Sequence, residues 1–179
     1  MASLRKASAY SKKKARAYTR ISRNKSKSYI KVVPHNKIVK YQDGEANLFR
    51  EKKLNQVVKL IAEEKVQIRD NALEASRTLI TKTLDKRAPK QYYFEIKIYP
   101  HHILRNNKAA AGAGADRLSS GMTHSFGTIE GRAAIVHAGK EIFFVACQNE
   151  NGVRAAREAL KMVKSKIPCR TKISVEKLE

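Results

Sequence analysis

Residues 92–99 read Tyr-Tyr-Phe-Glu-Ile-Lys-Ile-Tyr, and the pattern alternates along them. A period of two puts Tyr92, Phe94, Ile96 and Ile98 on one side of a β-strand, with Glu95 and Lys97 on the other. Pro100 ends that strand, because proline has no N–H to give a ladder. Residues 57–62, Val-Val-Lys-Leu-Ile-Ala, predict a second strand. Residues 37–42 alternate too and predict a short strand that stops at the turn signal Asp43-Gly44. Around Asp70 the period changes. Leu73, Ile80 and Leu84 fall on one helical face, flanked by Ala72 and Leu79, so a helix is expected over about residues 67–85, with Pro89 closing the unit. Residues 132–138 and 141–147 predict a hairpin that turns at Gly139-Lys140. A second helix is expected over residues 151–164, with Val153, Ala156, Leu160 and Val163 as its core stripe. A short strand over 172–175 finishes the pattern.

Strands outnumber helices and include a hairpin, so a simple alternation of strand and crossover helix does not fit. The pattern predicts an α+β fold, a two-layer sandwich with two helices on one face of a mainly antiparallel sheet. The globular domain takes residues 37–179. Residues 1–36 form a separate extension; up to Tyr29 they are rich in Ser, Ala and Lys and lack a sustained apolar period, so the extension is expected to be disordered when free.

Charge says what the extension is for. The chain holds 38 Lys and Arg against 16 Asp and Glu, a net +22 on 179 residues. Thirteen of those cations and no acid lie in residues 1–42, which leaves 25 cations against 16 acids, or +9, for residues 43–179. A chain so charged repels itself and is stabilised beside a dense polyanion, where each contact releases counterions. Nucleic acid is the first candidate partner, an anionic membrane the second and an acidic protein the third; a solubilising charge run or a nuclear-localisation signal are the plainer readings of the tail. Arg5, Lys6, Lys12, Lys13, Lys14, Arg16, Arg20, Arg23, Lys25 and Lys27 are the candidate phosphate-binding residues there. Tyr10, Tyr18 and Tyr29 sit among them and can stack on unpaired bases. No apolar run approaches the ~20 residues that span a bilayer, and no apolar stretch follows the basic amino terminus as a secretory signal requires. Membrane association is therefore not expected. Cys147 and Cys169 stand far apart and are expected to be reduced thiols.

One segment stands out from an ordinary surface loop. Residues 106–127, NNKAAAGAGADRLSSGMTHSFG, contain Gly112, Gly114, Gly121 and Gly127 among small residues. Loops of this length are functional or disordered. The Gly-Lys-Ser/Thr ending of a phosphate-cradling ATPase loop is absent, and Gly112-x-Gly114 alone is a weak dinucleotide signal. A glycine-softened arm that orders on RNA fits better, with Asp116 and Arg117 as polar specifiers and Leu118 and Met122 as apolar anchors. Metal binding is not expected from His101-His102, His124 and His137: adjacent strand residues point to opposite sides, and no acid or Cys has ligand spacing nearby. A strand-end or RNA contact suits His101 or His102 better. The acids are scattered, and no nucleophile–base pair stands out. On the second helix, Arg154, Arg157, Lys161 and Lys164 recur at i, i+3, i+7 and i+10, a basic stripe beside the core stripe. Such a line is either a solvated face or a phosphate track.

The loop carries a resemblance. His101-His102-Ile103-Leu104-Arg105-Asn106-Asn107-Lys108, Ala113-Gly114-Ala115-Asp116-Arg117-Leu118, Gly121-Met122 and Phe126-Gly127 closely resemble the archaeal and eukaryotic L-ten-e branch of the universal L-sixteen ribosomal proteins. Asn71-Ala72-Leu73-Glu74-Ala75 resembles the start of that family's first helix, and Ala17-Tyr18-Thr19-Arg20 part of its basic extension. The resemblance covers about residues 15–179. Residues 1–14 and 21–36 match poorly, and Asn106-Asn107 and Thr123-His124-Ser125 depart from the common loop forms. The chain reaches Glu179 without the aromatic, acidic tail of eukaryotic members, which points to the archaeal side. The family implies a structural constituent of the large ribosomal subunit, cytoplasmic, working beside rRNA, tRNA and neighbouring ribosomal proteins without cofactor or small-molecule substrate. It implies a loop directed toward the peptidyl-transferase centre and P-site tRNA, formed by Gly112, Gly114, Ala115, Asp116, Arg117, Leu118, Gly121 and Met122. Tyr18, Arg105 and Lys108 join the cations above as rRNA-binding candidates. An RNA-modification or RNA-processing enzyme with a basic targeting tail is the rival expectation.

Overall fold

The computed structural model describes residues 24, 26, 32–106 and 127–178. Its elements run β1 (Gln42–Gly44), α1 (Ala46–Arg50), β2 (Gln56–Ala62), β3 (Val66–Arg69), α2 (Asp70–Arg87), β4 (Tyr92–Ile96), β5 (His102–Asn106), β6 (Thr128–Val136), β7 (Glu141–Cys147), α3 (Glu150–Val163), a 3-10 turn (Lys164–Lys166) and β8 (Thr171–Lys177). The strands form two antiparallel sheets, one of five in the order β1-β4-β7-β2-β8 and one of three in the order β3-β6-β5. The α+β class is as the pattern predicts, and the strands are divided between two sheets.

The period-two positions explain the larger sheet. Val58, Leu60, Phe94, Phe143 and Val145 lie on one face and are 0% exposed. Cross-strand pairs Val58↔Val145, Phe94↔Val145 and Leu60↔Phe143 put them in register. Phe94 and Phe143 meet with ring centroids 5.8 Å apart. Leu73, Ile80 and Leu84 of α2 and Ala156, Leu160 and Val163 of α3 bury the same face, with Ala72 and Leu79 packed at its margin. Where polar residues fall on the buried side of α2, the hydroxyls of Ser76 and Thr81 bond back to the carbonyls of Ala72 and Arg77. Gly152 lets α3 lie close to β7, since a Cβ there would stand 3.1 Å from that of Cys147. Phe94→Ala should lower stability by about 3–5 kcal/mol, the range for emptying a buried aromatic site; urea denaturation reads it directly.

The other face of the sheet is half polar and half apolar. Lys59 lies 3.1 Å from Glu141 and 2.7 Å from Glu176, which raises its pKa and spends that cation inside the protein. The apolar half has its own small core. Phe49 of α1 stacks on Tyr93 at 4.7 Å and meets Phe144 edge-on at 5.6 Å, with Leu54, Val57 and Ala146 around them. The five-residue α1 is too short to show a helical period, which is why the pattern does not predict it.

Three expectations need correction. The helix begins at Asp70, not near residue 67: Val66–Arg69 is β3, paired with β6 through Val66↔Val136 to Arg69↔Ala133. Val66 and Ile68 satisfy a period of two, and a window containing the helix hides so short an alternation. Residues 37–41 are not a sheet strand. The N–H groups of Lys37 and Val39 go to carboxylates instead, Asp70 at 3.3 Å and Glu74 at 3.2 Å, that of Ile38 goes to the Asn36 side-chain oxygen at 3.1 Å, and ladder pairing starts at Gln42↔Glu95. Residues 132–138 and 141–147 are not a hairpin. β6 lies between β3 and β5, and β7 between β4 and β2 in the other sheet. The turn between them docks on the end of β2, where Gly139 N–H donates to the Ala62 carbonyl at 2.8 Å and Ala62 N–H to the Lys140 carbonyl at 3.0 Å. Gly139 takes φ +83° there, a conformation that costs glycine little.

Candidate RNA interface

The helix stripe is where pattern and structure agree most directly. One face of α3 is core, with Val153, Ala156, Leu160 and Val163 all buried. Arg154, Arg157, Lys161 and Lys164 are all exposed. The buried face sets the rotation of the helix, and the rotation turns the four cations outward together. Glu158 beside them is engaged by Arg87 of α2. Four guanidinium and ammonium groups along about ten residues of helix, ~1.5 Å of rise each, can follow a phosphate backbone.

The second arrangement is the stem of the long loop. β5, absent from the sequence expectation, pairs with β6 from His102↔Ala133 to Asn106↔Thr128. The Thr128 hydroxyl donates to the Asn106 carbonyl at 3.1 Å and closes that end. Arg105 lies on β5 opposite Ile129, just past a register shift after Leu104, and is partly exposed. The root is pinned inside the protein: His102 is 6% and Gln67 4% exposed, and His102 Nδ1 donates to Gln67 Oε1 at 2.8 Å. His102 is thus a buried structural group that ties β5 to β3, while His101 stays at the surface. The adjacent histidines thus part company, His102 buried at the start of β5 and His101 exposed just before it.

The remaining sequence candidates fall elsewhere. Arg5, Lys6, Lys12, Lys13, Lys14, Arg16, Tyr18, Arg20, Arg23, Lys25 and Lys27 lie outside the described residues, as do Tyr10 and Tyr29. So do Lys108, Gly112, Gly114, Ala115, Asp116, Arg117, Leu118, Gly121, Met122 and His124. Among the described residues no group of three or more His, Cys, Asp or Glu side chains could hold a metal ion, and no helix is long and apolar enough to cross a membrane. Cys147 and Cys169 are both free thiols; burial pushes Cys147 up to about 12 and, with Glu64 and Glu63 nearby, Cys169 up to about 11. Neither is an activated nucleophile. Arg132 was not singled out by the sequence. Its Nε donates to the Pro34 carbonyl at 2.7 Å and Nη1 to the Tyr99 hydroxyl at 3.2 Å. Partners 98 and 33 positions away leave no local signal.

Comparison with known proteins identifies the family. The family described as ribosomal protein L16p/L10e matches residues 13–174, a span that runs through both the helix stripe and the long loop. A large ribosomal subunit protein uL16 of Methanococcus maripaludis is 41% identical over 175 residues, covering 97% of this chain and 95% of the relative. One of Saccharolobus islandicus is 44% identical over 161 residues, covering 89% and 85%. Both relatives are archaeal, and the expectation of an RNA-processing enzyme does not survive the match. The chain belongs to the ribosomal protein L16p/L10e family, on its archaeal branch, and is a structural component of the ribosome rather than an enzyme.

Proposed function

We propose that the protein is held on large-subunit rRNA close to the tRNA sites, and that it carries loop 106–127 toward the peptidyl-transferase centre and the acceptor end of P-site tRNA. Its place of work is the cytoplasmic ribosome, with rRNA, tRNA and neighbouring ribosomal proteins as partners. The observation that carries the reading is the exposed line Arg154, Arg157, Lys161 and Lys164, which runs beside the core stripe of α3 and into the turn that closes it. A fixed row of cations neutralises phosphates without paying much ordering entropy, because the helix already holds its backbone. The basic extension adds contacts of a second kind, ordering on RNA as it binds. The paired stem of β5 and β6 gives the loop a defined point of departure.

Binding to large-subunit rRNA should depend steeply on salt. If ~6–10 phosphates are neutralised, affinity falls ~10³–10⁵-fold between 50 and 200 mM monovalent salt, with a shallower fall where the contacted RNA is single-stranded. A titration of the purified chain against deproteinised rRNA at four salt concentrations reads the slope. An affinity that does not move with salt sinks the phosphate-tracking reading.

A further inference from the structure

Three aromatic rings run in file from the edge of the main core out to the surface, where residues 32–41 cross the start of β5: Tyr41 is half-buried against that core, and Tyr99 and His101 are exposed. Tyr41 stacks on Tyr99 with ring centroids 5.5 Å apart and planes 22° from parallel. Tyr99 meets the imidazole of His101 at 4.4 Å with the planes tilted by 48°, so the imidazole flanks the Tyr99 ring and does not lie flat on it. The file is built, not incidental. Arg132 on β6 donates from Nε to the Pro34 carbonyl and from Nη1 to the Tyr99 hydroxyl, and Asn36 donates to the Tyr41 hydroxyl. Asp70 and Glu74 hold the crossing segment by the N–H groups of Lys37 and Val39, so these carboxylates are already engaged. Yet Tyr99 remains 42% exposed and His101 is exposed with it. Tyr41 anchors the group on the core, while Tyr99 and His101 stay open; exposed rings held in place with a guanidinium at their side have the composition of a base-binding platform.

We propose that Tyr41, Tyr99, His101 and Arg132 form a stacking site for one unpaired nucleobase of large-subunit rRNA, with Arg132 beside the phosphate of that nucleotide. The proposal rests on the reading of this chain as an rRNA-binding protein and adds a contact that reads an unpaired base instead of the backbone. An aromatic face is the ordinary receptor for a splayed-out RNA base, and a planar guanidinium suits both base and phosphate. Position favours RNA over a protein partner. The crossing segment leads directly back into residues 1–31, which carry eleven Lys and Arg and no acid. The site also sits on the same pair of strands as the loop stem, at its other end: His101 precedes His102↔Ala133, whereas the stem closes at Asn106↔Thr128. A base captured here fixes the root of the loop and the exit of the extension at once.

The test uses the full chain, deproteinised large-subunit rRNA as probe, and the variants Tyr99→Leu, His101→Ala and Tyr99→Trp. Stacking releases few counterions, so its loss should lower affinity without changing the salt slope. Tyr99→Leu is expected to weaken binding on the order of tenfold or more with the slope of the parent chain. His101→Ala should do so less, and Tyr99→Trp should restore most of the loss. Ultraviolet cross-linking of the parent chain should join Tyr99 or His101 to a single nucleotide. Melting curves show that each variant is folded, and Tyr99→Trp keeps the question open to measurement if Tyr99→Leu is destabilised. Parent-like affinity in the Leu and Ala variants overturns the site while leaving salt-dependent rRNA binding intact. Parent-like rRNA affinity combined with poor incorporation into subunits assigns the platform to a protein and also overturns it. A slope that falls with affinity overturns stacking in favour of a phosphate contact. If the parent chain itself shows no salt-dependent binding, the underlying reading fails, and that result is distinct from the other three.

Discussion

Deleting residues 110–123 should leave the free protein folded and as heat-stable as the full chain, while peptide-bond formation on subunits that carry the deletion drops sharply. The folded part of the argument comes from the cores. Among the described residues, three buried clusters draw on residues 38–104 and 133–167 and close on their own side chains. The deleted stretch contains only two large apolar side chains, Leu118 and Met122. Seven of the 21 residues between Asn106 and Thr128 remain, enough to close the stem. Closing a loop one third as long costs less entropy, about 1 kcal/mol less by the logarithmic rule, so stability should hold or rise slightly. Assembly into the subunit should be retained or delayed, because the extension and the α3 stripe are untouched. The functional loss follows from the proposed reach of the loop toward tRNA. Arg105→Ala should impair the same step more mildly, by ~1–3 kcal/mol if it leaves a charged hydrogen bond unmade. Melting temperature, subunit incorporation and peptide-bond formation are measured together. Unfolding by the deletion, or parental translation after full incorporation, defeats this account of the loop.

Changing Arg154, Arg157, Lys161 and Lys164 together to glutamine should reduce affinity for large-subunit rRNA by about 10²–10³-fold near 0.15 M salt, if each cation touches one phosphate. The magnitude follows from counterion release: each lost contact removes about 0.7–0.9 from the slope of log affinity against log salt, so four remove about three units. Glutamine is nearly as good a helix former as lysine or arginine, and all four positions are exposed. The melting temperature should therefore barely move. An unchanged salt slope would mean that α3 presents its basic side to water, and the slope of the parent chain would then belong to the extension. This outcome separates the helix from the tail, since the tail is intact in the variant.

The sequence by itself was enough for the elements whose pattern is local. Tyr92, Phe94, Ile96 and Ile98 alternate because every second side chain of β4 and its continuation meets the helices, and all four are buried. Val153, Ala156, Leu160 and Val163 recur at helical spacing for the same reason, so the rotation of α3 and the outward direction of its cations were legible. The α+β class, the free thiols and the family resemblance are likewise properties of composition and short motifs. What only the tertiary structure decided is partnership. A period of two marks a strand and is blind to its neighbour, so residues 132–138 and 141–147 read as one hairpin although β6 and β7 belong to different sheets. An extended segment can satisfy its N–H groups from side chains as well as from a strand, as Lys37 and Val39 do through Asp70 and Glu74. Tyr93 alternates as if toward solvent, yet it is covered by a small cluster that includes Phe49, 44 positions earlier. The same holds for the aromatic platform: Tyr41, Tyr99 and Arg132 come from three distant stretches, and chain pattern records what a residue is beside in sequence, whereas packing sets what it touches.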